Sequence, residues 1–180
     1  MFSPRTKEEL QNAVNKWCEN QEDAIEKYGH ISEWNTSKIT DMSKLFQEKY
    51  NFDGDLSNWD VSNVTDMNSM FELAKSFNGD LSIWDVSNVK NMKRMFFGNE
   101  SFNGDLSNWD VSNVTSMQCM FCRSFKFNGD LSNWNISNVE NTNSMFWMAY
   151  SFNANLSNWN FSNITDMGYM FYDAKSFVQN

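Results

Sequence analysis

The residues that could do chemistry are few. Cys119-Met120-Phe121-Cys122 is a C-x-x-C, the spacing of a redox pair or of half a metal site. A second Cys pair would be needed to complete such a site, and the third cysteine, Cys18, lies far away in sequence. His30 is the single histidine, so no Ser-His-Asp or Cys-His arrangement can be assembled around a choice of bases. Carboxylates recur in file: Asp55, Asp80, Asp105 and Asp130 at one position, and Asp60, Asp85 and Asp110 at another, followed there by Asn135 and Asn160. Stacked like charges repel, and a cation such as Ca²⁺ could neutralise them. The competing reading, which we favour, is that each Asp accepts amide bonds within its own turn. The spacing matches neither an EF-hand nor a G-G-x-G-x-D roll. No catalytic, cofactor-binding or metal-binding residue is assigned, and the chain reads as a non-enzyme.

What positions these residues is a repeat. Trp34, Trp59, Trp84, Trp109, Trp134 and Trp159 recur every 25 residues without a slip. Around them returns the text FDGDLSNWDVSNVTDMNSMF, as it stands at Phe52–Phe71. A fixed period of this length predicts an α/β solenoid of about six coils, leucine-rich-repeat-like, with short parallel strands and short helices. In each coil Leu56, Trp59 and Val61 would lie inward on a strand and Ser57, Asn58 and Asp60 outward. Met67, Met70 and Phe71 would form one face of a short helix started by Thr65 and Asp66. Gly54, Gly79, Gly104 and Gly129 suggest a positive φ or a close backbone approach, with Ala154 in their place later on. The Ser column through Ser62 and the Asn column through Asn63 are expected to satisfy backbone groups at turns.

Residues 1–29 read as an N-terminal helical cap and 30–180 as the repeat domain. Thr6 with Glu9 is a capping-box pattern, and Leu10, Val14 and Trp17 follow at helical spacing. A second helix is predicted over Glu22–Tyr28, with Ala24, Ile25 and Tyr28 on one side and Gly29 as its stop.

The text FDGDLSNWDVSNVTDMNSMFELAKSFNGDLS, at Phe52–Ser82, resembles the BspA-like repeat family, catalogued for mycoplasmas as a surface protein of unknown function. The likeness covers about residues 30–180 in five or more copies. It implies a leucine-rich-repeat-like solenoid at a cell or particle surface, used for adhesion or assembly. It implies no catalytic residues, and none are carried over.

Composition bounds the partners. The chain has 180 residues, with 23 acidic against 14 basic side chains and a net charge of −9. That balance disfavours nucleic acid and anionic membrane surfaces as partners. No apolar run has the length of a membrane span, and the N-terminal residues lack the apolar segment of a signal peptide. Cytoplasmic synthesis, with incorporation into a larger particle, is the expectation.

Variable columns supply the candidate contact residues. The column Gln47, Glu72, Phe97, Cys122, Trp147, Tyr172 turns from polar to apolar along the chain, and both it and the Cys119 column are expected to be exposed. Phe97, Phe125, Trp147, Tyr150, Tyr169, Tyr172 and Phe177 are the expected partner contacts. The partner is expected to be a protein or neighbouring subunit at the C-terminal end. The function read from the sequence is an interaction or structural assembly module. The alternative is a surface adhesin or carbohydrate-binding module.

Overall fold

The computed structural model describes residues 1–178; the last two positions of the expected repeat domain, 179–180, lie outside the described residues. Helix α1 runs Lys7–Glu19 and helix α2 Gln21–Tyr28, followed by a 3-10 turn at Ile31–Glu33. Thr6 Oγ1 accepts the Glu9 amide at 3.2 Å, the hydroxyl half of the capping box that the Thr-x-x-Glu spacing predicts. The Glu9 carboxylate reaches one residue further back than the box requires and accepts the Arg5 amide at 2.6 Å. Leu10, Ala13, Val14 and Trp17 are buried on one face of α1. Gly29 stops α2 at φ 76°, its amide donating to Ile25 O. Ile25 itself is exposed, against expectation.

The expected α/β solenoid of leucine-rich-repeat-like strands and helices is overturned. Among the described residues α1, α2 and the 3-10 turn are the regular elements, and no strand forms. The remainder is turns and irregular chain, with isolated parallel bridges joining Asp41 to Asp66, Asp66 to Asn91, Asn91 to Ser116, Ser116 to Asn141 and Asn141 to Asp166.

The hydrogen bonds explain why neither element forms. The amides of Met42, Lys44, Phe46 and Glu48 donate to Asp66, Asn68, Met70 and Glu72 of the next repeat at 2.8–2.9 Å. The amides between them, at Leu45, Gln47 and Lys49, donate within the repeat to Met42, Lys44 and Phe46. A helix needs every amide for the carbonyl four residues back, so the expected helix over Met67–Phe71 cannot close when alternate amides go to the neighbour. A strand needs extended backbone throughout, yet Lys44 and Glu48 sit at φ 62° and 59°. The same two positions are left-handed in later repeats, at Ser69 and Leu73, Arg94 and Gly98, Cys119 and Arg123, Ser144 and Met148, Tyr169 and Asp173. The expected strand Leu56–Val61 is likewise two turns, closed by Trp59 N to Leu56 O and Val64 N to Val61 O.

The inward phase holds although the strand does not. Leu56, Trp59, Val61 and Val64 are buried, as are their counterparts in the middle repeats. Each indole N–H reaches back to the preceding repeat: Trp84 to Leu56 O at 3.0 Å, Trp109 to Leu81 O, Trp134 to Leu106 O and Trp159 to Leu131 O at 2.9 Å. Phe rings pair within repeats (Phe96 with Phe102, centroids 4.1 Å apart) and stack between them (Phe71, Phe96 and Phe121 at 5.5 and 5.6 Å).

The FNGD glycines have no positive φ; Gly29 and Gly98 are the glycines that do. They are small because the Phe two residues earlier folds over them. A Cβ at Gly79 would meet the Phe77 ring at 2.8 Å.

Two stability outcomes follow. Trp109→Ala removes a buried ring and its bond to Leu81 O, and is expected to lower unfolding free energy by about 3–5 kcal/mol in denaturant titration. An unchanged midpoint would show that the ring is not core. Thr142 stands in the column of Met67, Met92 and Met117, and its buried Oγ1 has no hydrogen-bond partner. Thr142→Met is expected to raise stability by about 1–3 kcal/mol by removing the orphan hydroxyl and refilling the column; a lowered melting midpoint would refute that account.

Candidate functional site

The carboxylate columns resolve into turns. Asp55 Oδ1 accepts the Ser57 amide at 2.9 Å and its hydroxyl at 2.7 Å, and the Ser82, Ser107 and Ser132 amides bond Asp80, Asp105 and Asp130 in the same way. The second column repeats this at Asp60 with Ser62 and Asp85 with Ser87. Hydrogen bonds from these serines hold the Asp55, Asp80, Asp105 and Asp110 carboxyls below their ordinary range. Repulsion from Asp130 and Asp80 acts on Asp105 in the other direction and is the smaller effect. Among the described residues no three His, Cys, Asp or Glu side chains gather as metal ligands.

The Asn column does satisfy backbone, as expected. Asn88 Nδ2 donates to Ser62 O of the preceding repeat at 2.8 Å, and Asn113 to Ser87 O at 2.7 Å. The serine hydroxyls bond their own Asp or Asn instead, as Ser87 does with Asp85 at 2.6 Å. His30 has a structural place. Its Nδ1 lies 2.7 Å from Ser32 Oγ and accepts the Ser32 amide, and its ring meets Trp17 edge-on at 5.0 Å.

The two faces of the stack differ in kind. At the N-terminal end the first repeat's carbonyls have no preceding repeat, and α1 supplies donors. Gln11 Nε2 bonds the Leu45 carbonyl at 2.9 Å, while Lys7 Nζ bonds side chains, the Asp41 carboxylate at 2.9 Å and Ser43 Oγ. At the other end the amides of Met167, Tyr169, Phe171 and Asp173 occupy the positions that donate forward in earlier repeats. They find no acceptor among the described residues. Around them Phe161, Met167, Tyr169, Met170, Phe171 and Tyr172 line one apolar concavity.

The expected contact residues form two clusters and two separate positions. Trp147, Tyr169 and Tyr172 come together, with Tyr172 edge-on to Trp147 at 6.4 Å and to Tyr169 at 5.9 Å. All three are exposed, Tyr169 at 70% and Tyr172 at 61%. Phe125 and Tyr150 stack separately at 4.9 Å, both half-buried, with Lys175 Nζ 4.2 Å over the Tyr150 ring. Phe97 lies under the Arg94 guanidinium at 3.9 Å, and Phe177 closes the Phe column against Phe171 at 4.0 Å. Ile83 and Met167 are among the exposed apolar residues that escaped the sequence reading. Ile83 stands where other repeats have Asn, a legible signal. Met167 is a core type in a core column, exposed because no described repeat packs over it.

The variable columns are less exposed than expected. Ser69, Glu72, Cys122 and Ser144 are buried, and Cys119 is half-buried. Burial pushes the Glu72 carboxyl up, but the Arg94 bonds at 2.6 and 3.1 Å outweigh it and hold it down.

The Asp turns predict an acid limb. A carboxyl whose folded pKa is depressed stabilises the fold above its unfolded value, near 3.9, and that stability is lost as pH falls through the folded value. The melting midpoint is expected to be flat near neutral pH and to drop below about pH 4. Replacing Ser57, Ser82 and Ser107 together by Ala should flatten that drop; thermal melts that keep an unchanged acid limb would show that these bonds do not set it.

No curated protein and no solved structure matches the chain. A family model does, over residues 8–122 and again over 80–180, so the match begins inside α1 rather than at the first repeat. The chain belongs to the family described as Mycoplasma protein of unknown function, DUF285.

Proposed function

We propose that this chain is a non-enzymatic scaffold for protein–protein contact, working through the aromatic ridge Trp147, Tyr169, Tyr172 and the adjoining face of the last repeat. The observation that carries the reading is the combination found there. Exposed aromatics and Met167 surround a row of backbone donors that have no acceptor among the described residues. Exposed apolar surface of this kind marks interfaces, and unpaired edge amides recruit another chain's carbonyls. The occupant is a polypeptide segment offering carbonyls at alternate residues in parallel register. A second copy does not fit. Its N-terminal face carries α1, whose Gln11 bonds the Leu45 carbonyl and whose Lys7 bonds the Asp41 and Ser43 side chains, and two C-terminal faces would set donors against donors.

The likeness to BspA-like repeats supports a setting at a cell or particle surface. The carbohydrate-binding alternative draws on the Trp content, and that support weakens here. The repeat Trp are buried and their indole N–H groups are already bonded to carbonyls, whereas sugar-stacking rings must be open.

The experiment is capture from the native source by the purified chain, compared with a Trp147→Ser, Tyr169→Ser, Tyr172→Ser variant shown by circular dichroism to be folded. Loss of the captured protein, together with slowed exchange of the Tyr169 and Phe171 amides in the wild-type complex, is the expected result. Equal capture by both proteins would overturn the proposal, and so would a glycan array that binds the wild type and spares the variant.

A further inference from the structure

We propose that Cys119 and Cys122 form a dithiol–disulfide pair, oxidised by a hydroperoxide, with Cys119 as the attacking sulfur and Cys122 as the resolving one. The geometry is that of a closed turn. The Cys122 amide donates to Cys119 O at 3.2 Å, so the two residues stand at the ends of a four-residue turn. The Cα atoms of such a turn lie within about 7 Å, the span a disulfide bridges. The same pair of columns brings side chains together elsewhere. The Tyr169 and Tyr172 rings meet at 5.9 Å, and a Ser69 hydrogen bond helps hold down the Glu72 carboxyl.

The two cysteines are not equivalent. Cys119 is half-buried and can be reached from solvent; Cys122 is fully buried. The hydrogen bond from the Cys122 thiol first, then the charges of Arg94 and Lys93, lower the Cys119 thiol to about 7, while the same contact and burial push Cys122 up. A partly ionised, accessible thiol beside a protonated, sheltered one is the arrangement a sensor pair needs. Arg94 is itself held in place by Glu72 at 2.6 Å and by the Phe97 ring. Cys18, exposed on α1, has no cysteine neighbour in sequence and serves as the internal control.

The chemistry balances in two steps. The Cys119 thiolate attacks the outer oxygen of ROOH, the O–O bond breaks, and RO⁻ leaves and takes a proton, giving ROH and a Cys119 sulfenic acid. The Cys122 sulfur then attacks the Cys119 sulfur. The S–O bond breaks, the hydroxide leaves with the Cys122 proton as water, and the S–S bond forms. The pair loses two electrons and the peroxide gains them. This inference does not rest on the proposed contact surface.

The test treats the full chain with hydrogen peroxide at neutral pH, quenches with iodoacetamide, and reads intact mass and mapped peptides. The expected result is loss of two hydrogens from a peptide carrying Cys119–Cys122, reversed by dithiothreitol and retained in Cys18→Ser. Cys122→Ser should stop at a sulfenic acid that dimedone traps on Cys119. Without oxidant, Cys119 should alkylate at pH 7 about three- to fifteenfold faster than in the urea-unfolded chain, from its larger thiolate fraction tempered by lower nucleophilicity. Arg94→Gln should reduce that ratio. Oxidation confined to Cys18, a disulfide that forms only between chains, or equal alkylation in folded and unfolded protein would each overturn the proposal.

Discussion

Everything in the repeat region depends on an unbroken 25-residue register. Four separate sets of bonds are keyed to it. Indole N–H groups reach a Leu carbonyl one repeat back, as Trp109 does with Leu81. Asn side chains reach a Ser carbonyl one repeat back, as Asn113 does with Ser87. Alternate amides reach the next repeat, as Phe96 does with Met120. A polar column passes amides along, with Asn103 N to Asn78 Oδ1 and Asn128 N to Asn103 Oδ1. Adding or deleting one residue between two Trp would misalign all four at once. Such a shift costs more than any single contact, because buried polar groups would be left unpaired together with a broken aromatic column.

This constraint also explains the unusual backbone. Dividing amides between the repeat and its neighbour requires the chain to turn sharply twice per repeat, at positions such as Arg94 and Gly98. A non-glycine residue in the left-handed region carries strain of order 1–3 kcal/mol. Lys44, Ser69, Arg94, Cys119 and Ser144 accept it because each such turn places two amides on acceptors, one in the repeat and one across. The strain is offset locally, so no glycine is needed and none marks the site in the sequence, Gly98 excepted.

That is why the fold was only partly legible. The Trp phase, the columns of Phe and Leu, the Thr6–Glu9 cap and the Asp turns were readable, because each depends on residue type at fixed spacing. The backbone path was not. Periodicity of apolar residues reports which side chains face inward, and Leu56, Trp59 and Val61 do so whether they lie on a strand or on two successive turns. The left-handed columns carry Lys, Ser, Arg, Cys and Tyr at one position and Glu, Leu, Arg, Met and Asp beside Gly98 at the other, types that give no sign of φ. Of the candidate site, Trp147, Tyr169 and Tyr172 were found from their departure from the repeat. Met167 was hidden because burial there is decided by the neighbouring repeat and not by the residue.

The same logic locates where function can reside. Columns that close turns or fill the core are committed: changing Asp80, Leu81, Trp84 or Asn88 disturbs a bond to a neighbouring repeat or within a turn. The columns of Arg94 and Phe97 join the ladder through their amides and carbonyls, which bond in the same way whatever side chain they carry. Their side chains are therefore free to differ, and they do: Ser69 with Glu72, Arg94 with Phe97, Cys119 with Cys122, Tyr169 with Tyr172. Along one edge thus lie an ion pair between two repeats (Glu72 with Arg94), a cation over a ring, two cysteines and an aromatic pair. A regular scaffold with one irregular edge concentrates its chemistry on that edge, and both the proposed contact ridge and the proposed thiol pair fall there for that reason.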